Sequence, residues 1–207
     1  LDVQGLAHAY NAEVMHPFIR SRSKNLYTTL KFNYLDSERE DNLGGGKIED
    51  RLRVVRLGST YQFTDRFVGS NTLKAELSQG LDVFNTKTKG SANMTRADGD
   101  PEFFKGTAEL SRLQRLSDRF YLFAATSGQY SPDNLLASEE FGVGGANYGS
   151  AYDNSEITGK DGWDGRVELR MNNQVTAPLQ ALQTYGFYDL GKVWDPQNAV
   201  ASDRIRS

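Results

Sequence analysis

Residues 164–171 alternate without exception: Gly165, Val167, Leu169 and Met171 take one parity, and Asp164, Arg166, Glu168 and Arg170 take the other. The same period of two runs through 72–83, where Leu73, Ala75, Leu77 and Leu81 alternate with Lys74, Glu76, Ser78 and Asp82. It runs again through 102–116, where Phe104, Gly106, Ala108 and Leu110 alternate with Lys105, Thr107, Glu109 and Ser111. Successive side chains of a strand point to opposite faces, so each segment carries one greasy and one wet surface. Segments of about ten residues are long enough to cross a bilayer when tilted. A sheet that is apolar toward lipid and polar toward a lumen is the pattern of an antiparallel transmembrane β-barrel.

Composition agrees with that reading. Hydrophobic residues make up 38% of the 207, and no run approaches the length a transmembrane helix needs. A barrel needs only every second residue apolar. Cysteine is absent, which excludes disulfides and cysteine-bound metals. A net charge of −3 with no basic block argues against nucleic acid as a partner.

Eight strands are expected, over roughly 2–15, 25–36, 50–63, 71–84, 103–115, 119–130, 164–173 and 181–194. The links 16–24, 64–70, 116–118 and 174–180 are short, whereas 37–49, 85–102 and 131–163 are long and polar. Short turns toward the periplasm and long loops outside are the parity of outer-membrane barrels. A β-sandwich shares the alternation, but with shorter strands and no such parity. Tyr61, Phe63, Phe120, Trp163, Tyr185 and Trp194 fall near strand ends, where interfacial girdles would place them. Ordinary sheet packing would account for them equally well.

Nothing along the chain spells catalysis, a metal or a cofactor. Gly142-Val143-Gly144-Gly145-Ala146-Asn147 lacks the third glycine and the strand-to-helix context of a dinucleotide loop. Gly44-Gly45-Gly46-Lys47 lacks the spacing of a phosphate loop. Asp98, Asp100 and Glu102 form an incomplete calcium pattern and read as a solvated loop. His8 and His16 have no partner spacing for a metal, and Ser150 has no base in its neighbourhood of sequence. No enzyme is expected. Lys74, Glu76, Lys105, Glu109, Asp164, Arg166, Glu168 and Arg170 would instead line a lumen with both signs of charge.

Several phrases then carry a resemblance. These are His16-Pro17-Phe18-Ile19-Arg20-Ser21-Arg22 with Asn25-Leu26, Gln79-Gly80-Leu81-Asp82, Leu135-Leu136-Ala137-Ser138-Glu139-Glu140-Phe141 with Gly144-Gly145, and Tyr185-Gly186-Phe187-Tyr188-Asp189-Leu190-Gly191. In order and spacing the set resembles the barrel of TpsB-type two-partner secretion transporters, the hemolysin secretion/activation family. The resemblance implies a barrel of about sixteen strands in the bacterial outer membrane, of which this chain would hold strands six to thirteen. The whole of 1–207 would be partial barrel with an extracellular loop at 131–163. The POTRA domains and terminal strands would lie outside it, and the chain reads as an internal segment of a longer protein.

The resemblance also implies that the long loop folds back into the pore, with Gly144, Gly145, Gly149, Ser150, Ala151 and Tyr152 at its tip and Asp189 as its partner on a later strand. In the family an Arg stands where this chain has Ser150. Ser150 offers Asp189 only a neutral hydroxyl, so the loop is held otherwise, or Arg166 or Arg170 neutralises Asp189, or the chain is a variant. The implied function is passage of a large unfolded exoprotein of TpsA type through a monomeric pore without ATP or cofactor. The alternatives are a BamA-like insertase, which shares the barrel and the loop, and a small closed barrel acting as a passive pore.

Overall fold

The computed structural model describes residues 3–41, 46–173, 182–195 and 203–206. Its strands are β1 (Val3–Arg20), β2 (Lys24–Asp41), β3 (Gly46–Thr64), β4 (Gly69–Gly80), β5 (Phe104–Arg115), β6 (Phe120–Tyr130), β7 (Phe141–Val143), β8 (Ile157–Gly159), β9 (Asp161–Asn173), β10 (Leu182–Trp194) and β11 (Asp203–Arg206). Nine of them form one antiparallel sheet in the order β1-β2-β3-β4-β5-β6-β9-β10-β11, and β7 pairs with β8 in a separate hairpin. The main sheet is a meander, each strand hydrogen-bonded to its neighbour in the chain apart from the inserted hairpin. It is an open wall, with β1 and β11 at its edges.

Register shows why the alternation matters. Residues directly opposite one another in an antiparallel pair share a face. Val14 faces Leu30, Leu30 faces Leu57, and Leu57 faces Leu77, so one apolar row crosses four strands. These four side chains are 70%, 52%, 51% and 52% exposed. Leu73 opposite Leu110, Ala75 opposite Ala108, Leu122 opposite Leu169 and Ala124 opposite Val167 extend the band. An uncovered apolar surface this wide is suited to lipid and costly in water.

The opposite face is polar and partly covered. Leu52, Val54, Met94, Phe103, Leu135 and Leu136 form a buried cluster with Leu35 against it, joining β2 and β3 to segments 81–103 and 131–140. A second cluster of Val143, Val193 and Ile205, flanked by Phe141 and Ile157, seats the β7–β8 hairpin on β10 and β11. Both long links therefore fold down onto the polar face.

Several expected boundaries are corrected. The first strand runs on to Arg20, and the link expected at 16–24 shrinks to 21–23. Pro17 lacks an N–H, and the register shifts between Pro17 and Ile19, a bulge that an edge strand accommodates. The polar stretch 37–49 is not a loop: β2 and β3 pair through it to Asp41 and Gly46. Charge complementarity lets that extension stand in water, with Glu38 and Lys47 at 2.8 Å and Asp36 and Arg53 at 2.8 Å. The loop expected over 131–163 ends at 160, because β9 starts at Asp161. The sheet has nine strands rather than eight; β11 went unforeseen because four residues are too few to show a period. The expected link 174–180 lies outside the described residues.

Gly80 fixes how 81–103 turns back. Its N–H donates to the Phe103 carbonyl at 2.8 Å, and a Cβ there would stand 1.9 Å from the Pro101 carbonyl oxygen. Only glycine lets the two backbones approach so closely.

Candidate functional site: the loop docked on the charged face

Asp189 on β10 lies directly opposite Arg166 on β9 and is completely buried. The two form a parallel fork, Arg166 Nε to Oδ1 at 2.6 Å and Nη2 to Oδ2 at 2.7 Å. The tip of loop 131–160 closes over this pair. The backbone N–H groups of Gly149 and Ser150 donate to Asp189 Oδ2 at 3.0 and 3.1 Å, and Ser150 Oγ donates to the same oxygen at 3.3 Å. Arg166 also donates from Nη2 to Ser150 Oγ and from Nη1 to the Ala146 carbonyl at 3.2 Å. Tyr152 reaches the Arg206 carbonyl through its hydroxyl at 3.1 Å, while Ala151 is exposed. Gly144, Gly145 and Gly149 adopt φ of 124°, 100° and 78°. At Gly144 a Cβ would meet the Asp153 carbonyl oxygen at 2.2 Å, so the tip's tight reversal is built on glycine.

The chain thus brings together Gly149, Ser150 and Asp189, and supplies the missing cation from the wall. Of the two arginines weighed from sequence, Arg166 takes the carboxylate, whereas Arg170 pairs with Glu168 at 2.7 Å. The model of the haemolysin secretion/activation protein family ShlB/FhaC/HecB matches residues 2–205.

The chain belongs to the haemolysin secretion/activation family.

Among solved structures, CdiB from Escherichia coli superposes with a TM-score of 0.79 at 17% identity, covering 99% of this chain and 38% of that one. CdiB from Acinetobacter baumannii gives 0.69 at 18% identity, covering 92% and 32%. The chain therefore spans about a third of the length of the structures it matches, and at these identities the likeness is one of fold. No curated protein sequence matches it.

The rest of this family member's polar face is a lattice of paired charges. Lys74 and Glu109 meet at 3.1 Å, and Glu76 lies 4.0 Å from Lys31 and 3.9 Å from Arg56. Asp164 is buried and accepts from Ser127 N–H at 3.1 Å and Oγ at 2.6 Å. Register places all eight charges expected on the wet face, from Lys74 to Arg170, on the side that carries the loop. Tyr185 is a correction. It lies opposite Arg170, so it and Phe187 face the same way as the charges, while Tyr61, Phe63, Phe120, Trp163 and Trp194 take the apolar side.

The base of the loop holds residues that sequence reasoning passed over. A short helical turn at Ala137–Glu139 presents Glu139, which is buried, to Arg56 on β3 at 2.6 Å and to Lys105 on β5 at 2.8 Å. Gln129 and Lys105 also donate to the Glu139 carbonyl, at 3.0 and 2.9 Å. The adjacent Glu140 meets Arg96 at 2.5 Å, and Arg96 reaches Asp195 at 2.7 Å and Asp98 at 3.2 Å, tying three segments together. Glu139 lies within the family-like stretch Leu135–Phe141 and Arg56 on a strand, but 83 residues separate them. No local signal joins the two.

Proposed function

We propose that this chain is part of the wall of an outer-membrane translocator that passes a large unfolded exoprotein outward without ATP. The band of uncovered leucine and valine would face lipid, and the charged face would line a water-filled lumen. Strands β1 to β6 and β9 to β11 would then take places six to fourteen in a barrel of about sixteen. Residues 131–160 would be an extracellular loop folded into that lumen. The secreted partner would be of TpsA type, the pore a monomer, and the site the bacterial outer membrane.

The observation that carries this reading is the docked loop. A wall with one greasy and one charged face has its longest insertion fastened to the charged face at both tip and base, as a removable closure would be. Charges of both signs also suit passage, because they would keep the lumen wet.

The test uses the full-length protein in proteoliposomes with its unfolded secreted partner and no nucleotide. Transfer of the partner to a protease-protected compartment is the expected result. Depletion in the source bacterium should in addition abolish secretion of that partner alone. A general fall in outer-membrane protein levels with secretion unaffected would point to an insertase instead.

A further inference from the structure

We propose that Arg56 and Lys105 form a carboxylate-binding site on the lumen wall, filled at rest by Glu139 and open to acidic side chains of the secreted polypeptide once the loop base lifts. This rests on the pore reading given above and names the chemistry by which the wall would hold its cargo.

The site is built without the loop. Arg56 donates from Nε to Asn33 Oδ1 at 2.9 Å and from Nη1 to Ser78 Oγ at 2.8 Å, leaving Nη2 for Glu139. Lys105 donates to Gln129 Oε1 at 3.2 Å as well as to Glu139. Asn33, Ser78 and Gln129 stand on β2, β4 and β6, so the wall itself orients both cations. A receptor held in place before its ligand arrives loses little entropy on binding.

Charge balance supplies the second argument. Ionic contacts run continuously from Glu13 to Lys31, Glu76, Arg56, Glu139 and Lys105, with spacings between 2.6 and 4.0 Å. The wall contributes Lys31, Arg56 and Lys105 against only Glu13 and Glu76; the third carboxylate comes from the loop. Lifting the loop base leaves Lys105 with no carboxylate among the described residues and Arg56 with Glu76 alone, 3.9 Å away. Cations so placed are costly until another carboxylate arrives. The tip makes a contrast, since Asp189 keeps Arg166 whether or not the loop is docked.

Ion conductance of the full-length protein in planar bilayers tests the site. The probe is a short peptide alternating Glu and Ser, with a Lys/Ser peptide and free glutamate at equal carboxylate concentration as controls. Glu139→Ala should let the acidic peptide half-block the current at about tenfold lower concentration than in the unmodified protein. Adding Arg56→Gln or Lys105→Gln should abolish that gain, and the Lys/Ser peptide should not block. If Glu139→Ala does not assemble, Glu139→Gln is judged by the same criteria. A conducting channel in which block is indifferent to Arg56 and Lys105 overturns the site and spares the pore reading. Equal block by free glutamate overturns the polypeptide as ligand. Absence of conductance in the unmodified protein overturns the pore reading and this inference with it.

Discussion

Arg166 holds Asp189 through two parallel hydrogen bonds across the β9–β10 ladder, and the loop tip rests on the pair through dipoles alone. The tip therefore departs without stranding a charge. Removing the wall cation is another matter, because Asp189 is fully buried.

Arg166→Ser should cost about 3–5 kcal/mol by leaving that carboxylate unpaired, and protease cleavage within 154–161 of the full-length protein should accelerate. Ser150→Arg alone should also accelerate it, since a second guanidinium would crowd one already bound. The exchange Arg166→Ser with Ser150→Arg should restore slow cleavage. Slower cleavage in the Ser150→Arg single variant would show that Asp189 has room for two cations.

The two faces should tolerate charge unequally. Leu169→Arg and Ala108→Arg place a cation on the apolar band, where it costs roughly 2–4 kcal/mol at the bilayer midplane. Both should impair assembly of the full-length barrel, scored by heat-modifiable gel mobility. Glu109→Gln, on the charged face in a half-exposed pair with Lys74, should assemble normally. Equal mobility of all three would sink the assignment of faces.

Gly80→Ala should loosen the segment 81–103 and the end of β4 from which it leaves. The added methyl overlaps the Pro101 carbonyl, which is backbone and cannot swing aside. Overpacking of this kind costs about 1–3 kcal/mol. Hydrogen exchange should quicken at the Gly80 and Phe103 amides and stay unchanged in β9 and β10.

The short turn after β3 should respond to acid. Arg112 first, then the Gly69 amide, Asn71 and the Phe67 amide, hold the Asp65 carboxyl down to about 2, with burial opposing them. A carboxylate whose folded value is depressed stabilises above its ordinary value of about 4 and loses that contribution as pH falls through the folded value. The difference in thermal stability between the parent protein and Asp65→Asn should thus be constant above about pH 4 and shrink between about 4 and 2. A difference that does not change with pH would mean that the Arg112 pair contributes nothing.

How much was readable beforehand depended on the range of the interaction. The alternation in β4, β5 and β9 is local, so parity alone puts Leu169 and Glu168 on opposite faces. Pairing through 37–49 escaped notice because that stretch is charged rather than alternating, and it is cross-strand partners such as Lys47 for Glu38 that hold it extended. Tyr185 was placed by its nearness to a strand end, when its parity with Asp189 already put it on the charged face. The Ser150–Asp189 contact was expected through the resemblance, and the arginine that completes it was one of two named. Glu139 with Arg56 has no such guide, since only the folding of the long loop onto the polar face brings them together.

Strand length has a consequence for how anything leaves. β2 and β3 contain 18 and 19 residues and β4 to β6 only 12, 12 and 11. At about 3.4 Å per residue that is roughly 60 Å against 40 Å of strand. The surplus lies wholly at the end of the long links, because β4 pairs with β3 only from Val54 to Thr64. With those links outside the cell, as proposed above, the rim of the pore would be lopsided, a tall flank facing a low one. It would work as a spout, delivering an emerging chain sideways over the low flank while the tall one screens it from the surrounding lipid.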